Sequence, residues 1–489
     1  MDRVKAVLRD SSLFRRSYII CLFLCNVSFI QIGAYILLPF LFLWGVGLLI
    51  YNEIKKHTIL KTRYGFWLLL FLLFTTVTAL IHITDNFLYN LVIELHFAIC
   101  FFLFYSVHTE KHLNFRRELY SVCRFIVYFT TVVGIIGLSF LMAGISFEVF
   151  WVKFIVYENR FTGFYTNPNL LGFVSCTAIL CCHMLLKKDF IAISGKDRVS
   201  RIWIVTCLAV NTISLLLCDS NASMVLMIAY AVIFVIYKFF GTERKFSFKQ
   251  VVIKGLACLL AGVFIVGSVF FVRAVFQKGF SQVMYSADAV LESVSPQEKK
   301  VMEEDALSAT NRITFSHQNK NVDSGRLKLW RQAASMFADS PVFGIGKGNI
   351  YTYGEERFEN GILFSDLYGD WLAAFATDFH NGYATILVCA GVLGFLAFTV
   401  FGFRLFIHVT PYVFKEQNLN ESIFPPMFSF GCAYLVYAFF EKALLYDISF
   451  TVLFFWMILG YISCFMVKFE PEDHRSVYVF KKRLRRSLF

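Results

Sequence analysis

The sequence predicts an all-α polytopic membrane protein. Of its 489 residues, 58% are hydrophobic and only 16% are charged, and the mean hydropathy is +0.63. A water-soluble core of this length could not bury so much apolar material. Apolar runs of roughly 18 residues or more, the length that crosses a bilayer, recur along the chain. We therefore predict twelve transmembrane helices and one large extracytoplasmic loop between spans 9 and 10.

The predicted spans follow directly from the apolar runs. They lie at 17–33, 35–51, 64–83, 87–107, 121–145, 168–186, 202–219, 222–240, 250–271, 383–407, 426–441 and 446–467. The chain then divides into an N-terminal tail at 1–16, spans 1–9 within 17–271, a large loop at 272–382 that carries the candidate catalytic residues, spans 10–12 within 383–467, and a basic tail at 468–489.

The placement of basic residues predicts the orientation. Short cytoplasmic loops accumulate Lys and Arg. Here these residues cluster before span 1, in every second loop and in the C-terminal tail, whereas the alternate connections are poor in them. Both termini are therefore expected in the cytoplasm. The same pattern explains the formal net charge of +12, so we expect membrane lipids as partners and no nucleic acid.

The large loop contains a predicted amphipathic helix that begins at Arg326. Between 326 and 338 its apolar residues, among them Leu327 and Trp330, recur at helical spacing, and Pro341 follows the end. The glycines of 344–348 lack the spacing of a nucleotide-binding P-loop, so we interpret them as a tight turn back towards the membrane. Lys347 within this turn is a weaker candidate for contact with a phosphate.

His380 stands where the last part of the loop enters span 10. At the N-terminal end of a membrane helix, the exposed backbone N–H groups and the helix dipole disfavour a second proton on imidazole. A neutral histidine in this position could act as a base. The alternative is a histidine that merely caps the helix at the membrane interface.

Three blocks of sequence together resemble one family. The first runs from Arg160 to Asn169 and leads into span 6, and the second is the Arg326 helix followed by the turn at 341–346. The third is His380-Asn381-Gly382-Tyr383, with Gly391-Val392-Leu393-Gly394 a short helix later. Their order, spacing and shared outer location resemble the O-antigen ligase and polysaccharide polymerase superfamily of bacterial envelopes. The resemblance covers the whole architecture.

The resemblance implies a metal-independent, inverting glycosyltransferase without a cofactor in the bacterial cytoplasmic (inner) membrane. Its donor would be a glycan linked through diphosphate to undecaprenyl, and its acceptor a glycan or a lipid. Arg326 and His380 are the candidate catalytic residues, because arginine pairs bidentately with phosphate oxygens and histidine accepts a proton from a hydroxyl. The candidate residues for binding the diphosphate or the glycan are Arg160, Asn169, Lys347, Trp330 and Tyr383, and no metal ligands are proposed.

One position departs from the family pattern. Similar enzymes carry a Ser-Arg pair at the outer junction of spans 7 and 8, and that arginine is thought to help bind the lipid diphosphate. Here Ser220 is followed by Asn221. Either another cation, such as Arg160, Arg312 or Lys347, takes its place, or the donor is held differently.

Three functions are compatible with the sequence. We prefer a surface polysaccharide repeat-unit polymerase, for capsule or O-antigen synthesis, over a ligase that transfers finished glycan to a lipid or protein acceptor. A transporter or flippase for lipid-linked sugars is the alternative of another class, with Glu94 and His96 in span 4 as a proton relay. A non-catalytic scaffold would make Arg326 and His380 dispensable. Other proteins of polysaccharide assembly are candidate partners.

Overall fold

A computed structural model describes most of the chain. The described residues are 2–84, 86–110, 113–150, 152–157, 160–241, 247–294, 326–358, 378–414, 419 and 421–467. The predicted basic tail at 468–489 and Arg312 lie outside them. The helices are α1 (Asp2–Leu8), α2 (Ser11–Leu24), α3 (Gln31–Lys56), α4 (Thr58–Lys61), α5 (Gly65–Ile81), α6 (Phe87–Ile99), α7 (Phe115–Met142), α8 (Pro168–Leu185), α9 (Lys188–Ser194), α10 (Arg201–Leu217), α11 (Asn221–Phe240), α12 (Phe248–Val294), α13 (Arg326–Asp339), α14 (Ile350–Arg357), α15 (Gly382–Val413), α16 (Phe424–Tyr437) and α17 (Phe450–Val467).

The helices confirm an all-α polytopic membrane architecture. Each predicted span overlaps a helix, although the first, 17–33, covers the end of α2, the non-helical residues 25–30 and the start of α3. The helix α6 is extended to Thr109 by a π-helical and a 3₁₀ turn. Among the described residues, seven helices are long and apolar enough to cross a membrane, or eight if the bent pair Lys188–Asp197 and Arg201–Leu217 forms one span. Twelve spans stay a prediction, because helices such as the 14-residue α2 and α16 are shorter than a membrane crossing requires.

Helix α12 continues past the predicted end of span 9. The span was placed at 250–271 with the loop starting at 272, but the helix runs unbroken from Phe248 to Val294. Two side chains one turn apart explain the continuation, since Arg273 and Gln277 both donate hydrogen bonds to the carboxylate of Asp219. The start of the predicted loop is therefore helical, and these bonds attach it to the junction of α10 and α11.

A small antiparallel sheet occupies the connection between α7 and α8. Its strands are β1 (Phe147–Val149), β2 (Val152–Tyr157) and β3 (Arg160–Gly163), in the order β1-β2-β3. Phe154 of β2 contacts the rings of Phe140, Phe161 and Phe164, which buries one face of the sheet. The sequence predicted this stretch only as a connection. The sheet places Arg160 at the start of its last strand, beside α8.

The predicted turn after α13 docks into a break in α15. Helix α15 is interrupted at Gly391, where φ is 63°. The amide groups of Val392 and Leu393 bond the carbonyl oxygens of Pro341 and Val342 at 2.8 and 3.2 Å. A Cβ atom on Gly391 would lie 2.3 Å from the Val342 oxygen, so only glycine fits. The turn therefore supplies the hydrogen-bond partners that a broken membrane helix needs.

A buried ionic group, the Arg15 cluster, joins α2 to the region after α6. The Arg15 guanidinium donates to both carboxylate oxygens of Glu118, at 2.7 and 2.9 Å, and to Glu110 at 2.5 Å. It also donates to the carbonyl oxygen of Leu103 at 3.2 Å, and the Tyr461 hydroxyl donates to Glu118 at 2.8 Å. Arg15 is 1% exposed. The cluster is a closed set of hydrogen-bonded charges.

The two ionisable residues of the fourth predicted span have separate partners. Glu94 accepts a hydrogen bond from Thr76 at 3.1 Å. His96 is fully buried, and its Nδ1 lies 3.1 Å from the Tyr18 hydroxyl. These contacts tie α6 to α5 and α2.

Candidate active site

The candidate site is organised around Glu441, in the loop between α16 and α17. Asn169 of α8 donates a hydrogen bond to Glu441 Oε1 at 3.1 Å, and His380 Nδ1 lies 3.2 Å from Oε2. An Arg326 guanidinium nitrogen is 3.8 Å from Oε1. Arg160 donates to the Asn169 side-chain oxygen at 2.8 Å. These five residues form the Glu441 cluster, which brings together four sequence-predicted site residues.

Arg326 takes its place because it begins α13. The helix buries Leu329, Ala333 and Met336, which fixes the side of the helix that faces the protein. The Arg326 side chain is 19% exposed, and its guanidinium carbon sits 5.7 Å from the centre of the Phe440 ring. The ring and the neighbouring Glu441 hold the cation at one edge of the cluster while part of it stays accessible.

His380 is held by a constrained backbone. Its φ is 45°, a left-handed conformation that is uncommon outside glycine, and its amide donates to Asp378 Oδ1 at 2.5 Å. Asn381, not His380, caps α15, by accepting hydrogen bonds from the amides of Tyr383 and Ala384. His380 is therefore not the helix cap, and its imidazole is directed to the carboxylates instead.

The electrostatics of His380 differ from the sequence expectation. Burial lowers the pKa of His380, but the carboxylates of Asp378 and Glu441 outweigh it and raise the pKa to about 9. The expectation of a neutral imidazole at the helix N-terminus is therefore wrong for the site as it stands. Two carboxylates within 4 Å of Nδ1, at 3.7 and 3.2 Å, dominate over the partial charge of a helix end.

A second group of charges lies behind His380. Lys442 pairs with Asp378 at 3.2 Å and with Asp447 at 3.6 Å. Burial raises the pKa of Asp378, but the positive charges of His380, Lys442 and Lys347 hold it well below its usual range. Lys347 is 1% exposed, and burial lowers its pKa to about 8. Lys347 thus stands in the inner wall of the site.

The turn that carries Lys347 is fixed to α6. The amide of Gly348 donates to Asn90 Oδ1 at 2.8 Å, and Asn86 donates to the Gly348 carbonyl oxygen at 2.9 Å. These bonds explain how a lysine from a polar loop becomes buried among helices.

Arg160 links the cluster to the junction of α10 and α11. Its Nε donates to the Cys218 carbonyl oxygen at 2.9 Å. At that junction, Arg273 of α12 donates to the side-chain oxygen of Asn221 at 2.9 Å and also pairs with Asp219. A cation therefore does stand beside Asn221, but it comes from the next helix. The sequence analysis considered Arg160, Arg312 and Lys347 for this place and not Arg273.

Two predicted site residues make their described contacts elsewhere. The Tyr383 hydroxyl donates to the Leu435 carbonyl oxygen at 2.8 Å, and its ring packs on Phe439 at 4.5 Å between centroids. Trp330 is half-buried and packs against the hydrophobic core. The described contacts bring neither residue to Glu441.

Sequence reasoning missed the residue at the centre. From the sequence alone, Glu441 and Lys442 predict no more than a local interfacial pair at the end of a span. Glu441 bonds instead to residues 61 and 272 positions away in the chain. One signal was available in the sequence. Glu441 and Lys442 are two charged residues at a short connection that is predicted to lie on the same side of the membrane as His380, so a contact with the site could be expected.

The charges of the two groups do not balance. Five cationic side chains, Arg160, Arg326, Lys347, His380 and Lys442, face three carboxylates, Asp378, Glu441 and Asp447. With all five protonated, two positive charges are in excess. Over the described ranges, no three His, Cys, Asp or Glu side chains are arranged to hold a metal ion. Among the described residues this surplus of cations favours an anionic ligand.

Comparison with known families finds one that matches part of the chain. Residues 205–399 match the family model described as O-antigen ligase. This match, which covers less than half of the chain, supports membership of the O-antigen ligase superfamily. A search of curated proteins found no significant match. The O-antigen ligase match includes Arg273, Arg326, Lys347 and His380, whereas Glu441 lies beyond its end. Membership supports a membrane glycosyltransferase of the O-antigen ligase or polymerase type, with a lipid-linked glycan donor and an acceptor in general.

Proposed function

We propose that this protein polymerises undecaprenyl-diphosphate-linked glycan units on the outer face of the bacterial cytoplasmic membrane, with both termini in the cytoplasm. The observation that carries the proposal is the convergence of Arg326 and His380 on one carboxylate. These residues come from separate parts of the chain, and both lie at partly exposed positions. A cation for the diphosphate and an imidazole for the acceptor are thereby within reach of one bound substrate.

In this mechanism Arg326, with Arg160 behind it, binds the diphosphate of the donor. Both guanidinium groups stay charged and can pair with several phosphate oxygens. As the bond between the anomeric carbon and the diphosphate oxygen breaks, its electron pair leaves with the diphosphate, and Arg326 stabilises that charge. Cations of the chain itself supply the neutralisation in this proposal.

His380 would take the proton of the acceptor hydroxyl while that oxygen attacks the anomeric carbon. The group must be neutral when it accepts the proton, and its raised pKa of about 9 means that only a minor fraction is neutral near pH 7. The neutral imidazole, once formed, is a strong base for the acceptor proton. A single displacement of this kind inverts the anomeric configuration.

The proposal is tested by the length profile of surface polysaccharide on a gel. Cells that lack the protein are complemented with the wild type or with His380→Ala. Single repeat units without the protein, and no ladder with His380→Ala, would support a polymerase that uses His380. Long chains that accumulate on the carrier lipid would favour a ligase instead. An unchanged profile in all strains would contradict glycan transfer and favour a transporter.

A further inference from the structure

We propose that Glu441 is the positioning residue of this site: it holds His380, Arg326 and Asn169 in one geometry and stabilises the imidazolium that forms when His380 takes the acceptor proton. This inference rests on the proposed function. It concerns a residue outside the segment that matches the family.

The two carboxylate oxygens of Glu441 contact different residues of the site. Oε2 lies 3.2 Å from His380 Nδ1. Oε1 accepts a hydrogen bond from Asn169 at 3.1 Å and is 3.8 Å from the Arg326 guanidinium. The carboxylate is 12% exposed, so its charge is shielded little by water. A single side chain therefore fixes α8, α13 and His380, in the segment that leads into α15, relative to one another.

The backbone reinforces this contact. The amide of Gly382 donates to the Glu441 carbonyl oxygen at 3.1 Å and to the Ala438 carbonyl oxygen at 2.7 Å. Gly382 is the first residue of α15 and stands two positions after His380. The chain segments that carry Glu441 and His380 are thus bonded to each other independently of their side chains. A chance encounter of two long side chains would not need this second connection.

The charged groups that face His380 have different roles. Asp378 lies 3.7 Å from Nδ1 and its charge is the largest single influence that raises the pKa of His380, but it also accepts the His380 amide and pairs with Lys442. Arg326 opposes protonation of the imidazole. Glu441 is closer to Nδ1 and is the carboxylate shared with the site cations. With Nδ1–H donated to Glu441, Nε2 is the atom that takes the acceptor proton in the proposed reaction, as in a triad in which a carboxylate orients histidine.

The first test measures the protonation of His380 without any substrate. The full-length protein is purified, and deuterium exchange at the imidazole C2 position is followed against pH by mass spectrometry. We expect a midpoint for His380 near the pKa of about 9 in the wild type and a lower midpoint in Glu441→Gln, because an opposite charge is removed. Glu441→Asp should retain part of the shift. Glu421→Gln, which removes an exposed carboxylate paired with Lys188, should leave His380 unchanged.

The second test uses the polysaccharide ladder of complemented cells in media buffered above and below neutral pH. Glu441→Gln should lower polymer formation by about 100-fold, and what activity is left should reach its plateau at a lower pH than in the wild type. Glu441→Asp should recover part of the loss. A residue that only supports the fold would lower protein level without shifting the pH profile.

The outcomes separate this inference from the proposed function. If His380→Ala abolishes the ladder while Glu441→Gln leaves both the ladder and the His380 midpoint at wild-type values, the role of Glu441 is wrong and the polymerase proposal stands. If His380→Ala retains the ladder, the proposed mechanism fails, and the positioning role fails with it, whatever the His380 midpoint in Glu441→Gln.

Discussion

The Arg15 cluster and the Glu441 cluster use the same residue types differently. In the Arg15 cluster, one buried guanidinium is hydrogen-bonded to two carboxylates and a carbonyl oxygen, and each partner is at hydrogen-bond distance. In the Glu441 cluster, Arg326 is 3.8 Å from its carboxylate, and the His380 side chain is 29% exposed. Saturated charges stabilise a fold, whereas partly exposed cations in excess are available to a substrate.

The difference also explains why each cluster tolerates its charges. A buried ion pair offsets its desolvation only when every group is hydrogen-bonded, and the Arg15 cluster meets this condition. In the part of the chain that the structure describes, the cations around Glu441 outnumber the carboxylates. An anionic substrate would offset this surplus, so the Glu441 cluster is expected to gain stability on binding and the Arg15 cluster is not.

Removal of Arg15 should have the largest effect, a loss of protein stability. Arg15→Ala leaves the buried Glu118 and the partly exposed Glu110 without their shared cation, which should destabilise the protein by about 3–5 kcal/mol. The measurement is the melting temperature of the purified protein and its level in membranes. Arg16→Ala on the same helix, where the side chain bonds only the Ser12 carbonyl oxygen in the described contacts, is the matched control. Wild-type stability of Arg15→Ala would show that the buried cluster is not structural.

A substitution at the break in α15 should lower stability less, and it should disturb the Glu441 cluster but not the Arg15 cluster. Gly391→Ala forces a side chain into a left-handed position against the Val342 oxygen, at a cost of about 1–3 kcal/mol. Since the turn at 341–346 would shift, Arg326 should move with α13 and activity should fall. Gly402→Ala, in the same helix with open space at its Cβ position, should keep both stability and activity. Full activity of Gly391→Ala would separate the break from the site.

The pH dependence of stability is the mildest way to distinguish the clusters. The folded pKa of His380 is raised to about 9, above the value near 6.5 of an unfolded chain. Its stabilisation should therefore be complete below about pH 6.5 and be lost as the pH rises through about 9. The check is the difference in melting temperature between wild type and His380→Gln against pH. A difference in melting temperature that does not change over this range would contradict the ion pairs of His380 with Asp378 and Glu441.

Much of the scaffold could be predicted because its signals are local. Apolar runs located a helix at each predicted span, and the spacing of Leu327 and Trp330 predicted α13 nearly to its last residue. The three sequence blocks likewise contained Arg160, Asn169, Arg326 and His380, which the fold brings to one carboxylate. These predictions depend on periodicity and on short motifs, both of which are visible without knowledge of distant contacts.

What could not be predicted depends on contacts between distant segments. Glu441 has no motif of its own, and its importance arises only when α8, α13 and α15 meet. Arg273 was hidden for the same reason, because it reaches Asn221 from a neighbouring helix. The predicted charge of His380 was wrong because two carboxylates raise its pKa: Asp378, two positions away, which no sequence pattern directs at the imidazole, and Glu441, 61 residues away.

The most direct test of the central claim is the polysaccharide ladder of cells that lack the protein and carry Arg326→Ala, His380→Ala or Arg331→Ala at equal membrane levels. Arg331 lies on the same helix as Arg326 and is exposed, so it is a matched control. The account predicts that Arg331→Ala restores the ladder and that the other two variants do not. A ladder of normal length with His380→Ala or Arg326→Ala would contradict the assignment of this cluster as the transferase site.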